Sequence, residues 1–168
     1  EASEFKDTDT GTHIWRMAAY SSALAAAAGW SEGACLQLKM AAPMHDIGKL
    51  GIPDAILHKP GKLNAQEWTV MQTHSEVGYK ILSKSDAPLL HMAATIARHH
   101  HERWDGSGYP SALAGADIPE MARIVAIADV FDALTTRRPY KEAWPLDQVM
   151  RTMVASAGSH FEPRLIAH

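Results

Sequence analysis

Apolar residues recur three and four positions apart along most of the chain, and sustained alternation is missing, so the pattern predicts helices and no strand. The first helix is expected from near Thr10 to Ala28, with Met17, Tyr20 and Leu24 on one stripe and Gly29 just past its end. Ser31 is placed to cap a second helix that carries Leu36, Met40 and Met44 toward a stop at Gly48, bent near its end by Pro43. Asn64 with Glu67 three residues on reads as a capping box, and Trp68, Met71, Val77 and Ile81 mark the inner side of the helix that follows, with His74 on that side. Asp86 or Pro88 opens a fourth helix through Leu89, Ala93, Ile96 and Ala97, which ends in the run His99, His100, His101, Glu102. A glycine-rich loop then holds Asp105-Gly106, Ser107-Gly108 and Pro110. Pro119 begins a helix with Ile124, Ile127, Ala128 and Phe131 buried, Pro145 opens one that Gly158 ends, and Pro163 starts a last one.

Composition narrows the class. The 168 residues suffice for one core and not for two ordinary domains, so a single domain over residues 1–168 is expected, cut from a longer protein. A single cysteine excludes an intrachain disulfide framework and a cysteine-based zinc finger, and suits a reducing, cytoplasmic setting. A net charge of −3 argues against a surface that tracks a nucleic-acid polymer, though it leaves room for a local anion site. No apolar run nears the ~18 residues of a membrane helix, and the N-terminus lacks the blocks of a signal peptide.

The outlier is histidine, at ten copies. His45-Asp46 offers one nitrogen and one oxygen ligand from a single turn, and its carboxylate can bridge two ions. Alone, the pair is weak evidence and reads first as a capping Asp beside a core His. His13, His74 and the His100-His101 pair, however, also lie in or at the ends of helices beside core-facing residues. Unpaired buried imidazoles are costly, and several helices each delivering one to a core makes sense when a metal collects them. Asp129, on an isoleucine-rich stripe, supplies a further carboxylate.

The strings HDIGKLGIPDAILHKP from His45 to Pro60 and HHERWDGSGYP from His100 to Pro110 resemble the two signature motifs of the HD-GYP family, a branch of the HD phosphohydrolase superfamily. Agreement extends through DTGTH at Asp9 to His13, WTVMQTH at Trp68 to His74, RIVAIADVFDALTTRRPYK at Arg123 to Lys141 and GSHFEP at Gly158 to Pro163, nearly the whole chain. The resemblance implies an all-α bundle of the HD-domain type with a metal site in its core and hydrolysis of cyclic di-GMP. It implies two or three divalent transition metals, iron first, on Asp9, His13, His45, Asp46, His74, His100, His101 and Asp129. Manganese, nickel and zinc are compatible with the ligand types. Where the family usually has Glu, this chain has Asp9, shorter by one methylene, which bears on a third ion.

The resemblance also places Lys49 beside the metal site and the substrate phosphate, and makes Arg138 and Lys141 a phosphate-binding pair, a task that suits an arginine fork. Asp132, three residues after Asp129, and Asp7 are candidates for moving a proton. Gly108, Tyr109 and Pro110 form the GYP loop, near the site in the family and linked there to GGDEF-type cyclase domains. Locally the loop also reads as a turn with one packed aromatic. Trp104 reads as structural and Cys35 as helix filling, while His58, His91, His99, His160 and His168 are expected off the site. Partners implied are cyclic di-GMP, GGDEF-domain proteins and an upstream receiver or other sensor domain. Alternatives are a mixed guanine-adenine cyclic dinucleotide as substrate, and a ligand-binding or cyclase-binding signalling module with little turnover.

Overall fold

The computed structural model describes residues 11–137 and 142–168, so Asp7, Asp9, Arg138 and Lys141 lie outside the described residues. Among the described residues the chain is helical and contains no strand, only an isolated bridge between Ala157 and Phe161. In order come α1 (Gly11–Ala27), α2 (Glu32–Ala41), two single 3-10 turns (Ala42–Met44 and Ile47–Gly51), α3 (Asp54–Leu57), α4 (Ala65–Gln72), α5 (His74–Leu82) and α6 (Pro88–His99). A third 3-10 turn (Gly115–Asp117), α7 (Glu120–Thr135), α8 (Leu146–Ala155) and α9 (Pro163–Ile166) complete it. No described helix is long and apolar enough to cross a membrane.

α7 is apolar on nearly every face, with Ala122, Ile124, Val125, Ala126, Ile127, Ala128, Ala133 and Leu134 buried, and such a helix belongs in the middle of a bundle. α1 and α6 pack against it, α2 packs on α1 and α6, and α5 pairs with α6. Met17, Leu38, Ile96 and Ile124 fill the space between them without exposed surface. Truncating such a side chain to alanine costs about 2–5 kcal/mol in transfer and cavity energy. Alanines 18, 41, 42, 93, 94 and 97 at the same interfaces let the helices approach closely.

Several sequence expectations change here. The second helix stops at Ala41, not Gly48, because Pro43 has no amide proton to donate and the chain tightens into 3-10 turns. Its buried side is Cys35, Leu38 and Ala41, leaving Leu36 57% and Met40 53% exposed. The predicted helix after Asn64 is two helices that break at Thr73. The second of them turns Gly78 and Leu82 inward, so Ile81 faces out. Tyr20 is at the surface edge, where it meets Phe131 edge-to-face at 5.2 Å. The caps hold as read: Ser31 accepts from Ala34 N, and Asn64 and Glu67 form the reciprocal capping box.

A candidate metal centre

His45 and Asp46 sit at the junction of the first two 3-10 turns. Gly48 makes this placement possible. A Cβ there would lie 1.8 Å from the His74 carbonyl oxygen and 2.4 Å from Gly78 N, so the turn rests directly on the α5 backbone. The contact sets Asp46 beside His74 at the start of α5. His100 and His101 arrive from the end of α6, His13 from the first turns of α1, and Asp129 from α7.

Three of these histidines are oriented from behind by backbone carbonyls. Nδ1 of His45 donates to Ala42 O at 2.9 Å and Nδ1 of His74 to Met71 O at 2.7 Å. Nδ1 of His100 faces the carbonyls of Ile96 and Ala97, both at 3.1 Å. With the proton on Nδ1, each ring presents the lone pair of Nε2 forward. Nε2 of His45, His74 and His100, together with Asp46 Oδ1, are buried and have no hydrogen-bond partner of normal geometry. Buried polar atoms left without partners on both sides of Asp46 are expensive unless something electrophilic meets them.

The donors form two groups, Asp46 with His74, His100 and His101, and His13 with His45 and Asp129, the ligand atoms within each lying within 4.8 Å of one another. Metal bonds of about 2.0–2.2 Å bring donors to within about 4.4 Å of each other, so small side-chain adjustments close either group around an ion. Asp46 stands between the groups. Its Oδ1 lies 3.3 Å from His74 Nε2 and 3.6 Å from His100 Nε2, while its Oδ2 lies 3.3 Å from His45 Nε2 and 2.7 Å from Lys49 Nζ. Imidazole and carboxylate donors suit divalent transition metals, and a carboxylate with one oxygen toward each group suits a bridged pair.

Electrostatics agree with this use. Burial disfavours the charge on Asp46, yet His45, Lys49 and His100 around it hold its carboxyl well below the usual range. Burial likewise opposes the His45 cation, but Asp46 outweighs it and pushes the imidazole up to about 9. A divalent cation held here would take the place of a proton on His45 as the counter-charge. Burial, with the His100 ring close by adding to it, takes His74 down to about 4 and His101 well below the ordinary value, which favours the neutral rings a ligand needs.

Lys49 reaches the site through the 3-10 turn Ile47–Gly51. The helix does not continue from His45 to Lys49; the 3-10 turn brings Lys49 over Asp46 three residues back. Asp132 sits behind the donor groups. Expected to carry a proton at the reacting centre, it has no exposed side-chain surface and lies behind His13, whose Nδ1 donates to Asp132 Oδ2. Arg16 Nε donates to the other oxygen at 2.6 Å. Meanwhile His13 Nε2 faces Asp129 Oδ1 at 3.5 Å.

The GYP loop does lie at the centre. Tyr109 stacks on His101 with ring centroids 4.8 Å apart, meets Trp68 edge-on at 6.1 Å, and is joined to Pro110 by a cis peptide bond. Burial and the nearby carboxylates of Asp46 and Asp129 push its hydroxyl pKa up, so it remains a donor. Gly108 serves the loop's packing: a Cβ would fall 2.4 Å from Arg103 N and 2.5 Å from the Glu102 Cα. Glu102, to which the sequence reading gave no role, is buried and accepts from Ser111 N at 2.8 Å and Leu113 N at 3.1 Å, tying the loop down. An acid directly after two metal-type histidines and before a glycine-rich turn was the available signal.

The histidines set aside are off the centre. His58 and His91 are exposed, His99 turns toward Glu102, and His160 packs on Phe161 at 4.1 Å. Trp104 is structural, its indole under the Arg123 guanidinium.

A family model described as "HD domain" matches residues 5–165. The chain is 51% identical over 165 residues to the 3'3'-cGAMP-specific phosphodiesterase 2 of Vibrio cholerae, covering 98% of this chain and 32% of that protein. It is 47% identical to the cyclic di-GMP phosphodiesterase response regulator RpfG of Xanthomonas campestris, covering 98% of this chain and 44% of that one. The chain thus spans less than half the length of these relatives. Its fold matches the crystal structure of a cyclic GMP-AMP specific phosphodiesterase of V. cholerae with a TM-score of 0.73 at 17% identity, over 98% of this chain and 44% of the other. With the fold, the paired ligand groups and these likenesses together, the chain belongs to the HD-domain family, in its HD-GYP branch.

Proposed function

We propose that this chain is a metal-dependent phosphodiesterase that hydrolyses cyclic di-GMP to linear pGpG, to GMP or to both, and so ends a bacterial second-messenger signal. The observation that carries the reading is Asp46, one oxygen toward each of two donor groups, beside which the forward nitrogens of His45, His74 and His100 are buried and unsatisfied. His13, His45 and Asp129 would hold one ion, and His74, His100 and His101 the other, with Asp46 shared. When bound, a pair of divalent ions supplies positive charge to a phosphoryl group and lowers the pKa of an attacking water.

The chain's own residues supply the rest. Lys49, fixed against Asp46 Oδ2, stands where it neutralises charge on a phosphate oxygen. Tyr109 closes one wall against His101 and keeps its proton for donation. Gly108 admits the loop at that distance. Arg138 and Lys141 are assigned to the substrate phosphates and Asp7 to proton transfer, on their places in the motifs. Asp132 is assigned to orienting His13. Iron is our choice of metal, and Asp9 is too short to hold a third ion tightly.

The mixed guanine-adenine ring is the second reading, favoured by the name of the Vibrio relative at 51% identity. A signalling module without turnover is disfavoured by the completeness of the ligand set. We place the chain in the cytoplasm, beneath an upstream regulatory domain and in contact with GGDEF-type cyclases through its GYP loop.

The test is product analysis by chromatography with anaerobic Fe2+-loaded or Mn2+-loaded protein and both rings as substrates. The expected result is pGpG or GMP from cyclic di-GMP at a higher kcat/KM than hydrolysis of the mixed ring. Metal-loaded protein that cuts neither ring would overturn the enzymatic reading, and a preference for the mixed ring would replace the substrate.

A further inference from the structure

Behind the metal centre, Arg16 reaches across from α1 to α7. Its Nε donates to Asp132 Oδ1 at 2.6 Å, and its Nη2 donates to Asp132 Oδ2 at 3.0 Å and to Thr136 Oγ1 at 2.8 Å. Asp132 is wholly buried, and its Oδ2 also accepts the Nδ1 proton of His13. The chain of contacts therefore runs from a partly exposed guanidinium, through a buried carboxylate, to the rear nitrogen of one histidine, whose front nitrogen faces Asp129. His45, His74 and His100 are held differently, by backbone carbonyls that no side-chain substitution removes.

We infer that Arg16 is a positioning residue for one of the two ligand groups alone, holding Asp132 in the orientation that aims His13 Nε2 at Asp129. This rests on the metal-centre reading above and adds an asymmetry to it. The group of His13, His45 and Asp129 depends on a side-chain relay that spans two helices, whereas the group of Asp46, His74, His100 and His101 does not touch it. The fork matters as well as the charge, since a lysine ammonium cannot meet both Asp132 oxygens and Thr136 in one plane.

The test is Mn2+ titration of the full chain, with stoichiometry by elemental analysis, for wild type, Arg16→Met and Arg16→Lys, and needs no nucleotide. Partners that orient a metal-bound histidine are worth about 10–100-fold in affinity. In Arg16→Met, one of the two ions should weaken by about that factor while the other keeps its wild-type affinity, and Arg16→Lys should recover part of the loss. Circular dichroism identifies a variant that fails to fold, in which case Arg16→Lys carries the comparison. Two ions bound at wild-type affinity in the folded variants, or both weakened equally, would overturn the relay while leaving the metal centre intact. Failure of wild type to bind any ion would overturn both.

Discussion

Lys49 Nζ lies 2.7 Å from Asp46 Oδ2, on the oxygen that also faces His45. The lysine thus touches the carboxylate shared by the two ligand groups without belonging to either. Replacing it by methionine should leave metal content near the wild-type value and lower kcat by about 100-fold or more, the scale of losing one charge-stabilising donor. A variant that keeps full turnover would remove Lys49 from the reaction; one that loses its ions would make it part of the metal site.

Gly48 carries the turn onto α5. Gly48→Ala must push the 3-10 turn away from the His74 carbonyl, at a cost of about 1–3 kcal/mol or more for overpacking. Thermal unfolding should show the midpoint drop, together with weaker Mn2+ binding because Asp46 moves with the turn. Gly33, where a Cβ meets nothing within 4 Å, is the control.

Glu102 supplies the acceptors for two loop amides. Glu102→Ala should leave Ser111 N and Leu113 N without partners, costing about 1–3 kcal/mol for each group that stays buried. Hydrogen exchange at these two amides should accelerate relative to the α6 amides, and turnover should fall because Tyr109 is released from His101. Unchanged exchange would mean that the loop is held by other contacts.

His160 supplies a pH dependence outside the ligand set. Burial, with the charge of Arg103 adding to it, lowers its imidazole to about 4, below the ordinary value of about 6.5 for the unfolded chain. The unfolded state therefore binds the extra proton first. The His160 contribution is fully present above about pH 6.5 and is lost as the pH falls toward 4, up to about 3 kcal/mol at the low end. Urea unfolding of wild type and His160→Gln at pH 7 and pH 5 should show a steeper loss for wild type. Equal losses would place the imidazole in contact with solvent.

The candidate ligands are legible in the sequence because imidazoles on otherwise apolar helix faces have few explanations. His13, His45, His74, His100 and His101 carry that signature, and the structure gathers them with Asp46 and Asp129. Asp132 was not legible. At i+3 from Asp129 it shares a helix face, and only the packing of α1 behind α7 decides that one carboxylate meets the centre while the other meets Arg16. Leu36 and Met40 misled for a related reason: two sets of positions on α2 have helical spacing, and the bundle buries the one with Cys35 and Ala41, whose small side chains allow close contact with its neighbours. The break at Thr73 has no proline or glycine to announce it.

The bridging role of Asp46 is tested most directly by counting ions per chain after Mn2+ loading in wild type, Asp46→Ala and His91→Ala. Wild type and His91→Ala should each hold two, since His91 is an exposed residue on α6 away from both groups, and Asp46→Ala should lose most of both together. Two retained ions in Asp46→Ala, or the loss of only one, would contradict a centre built on a shared carboxylate.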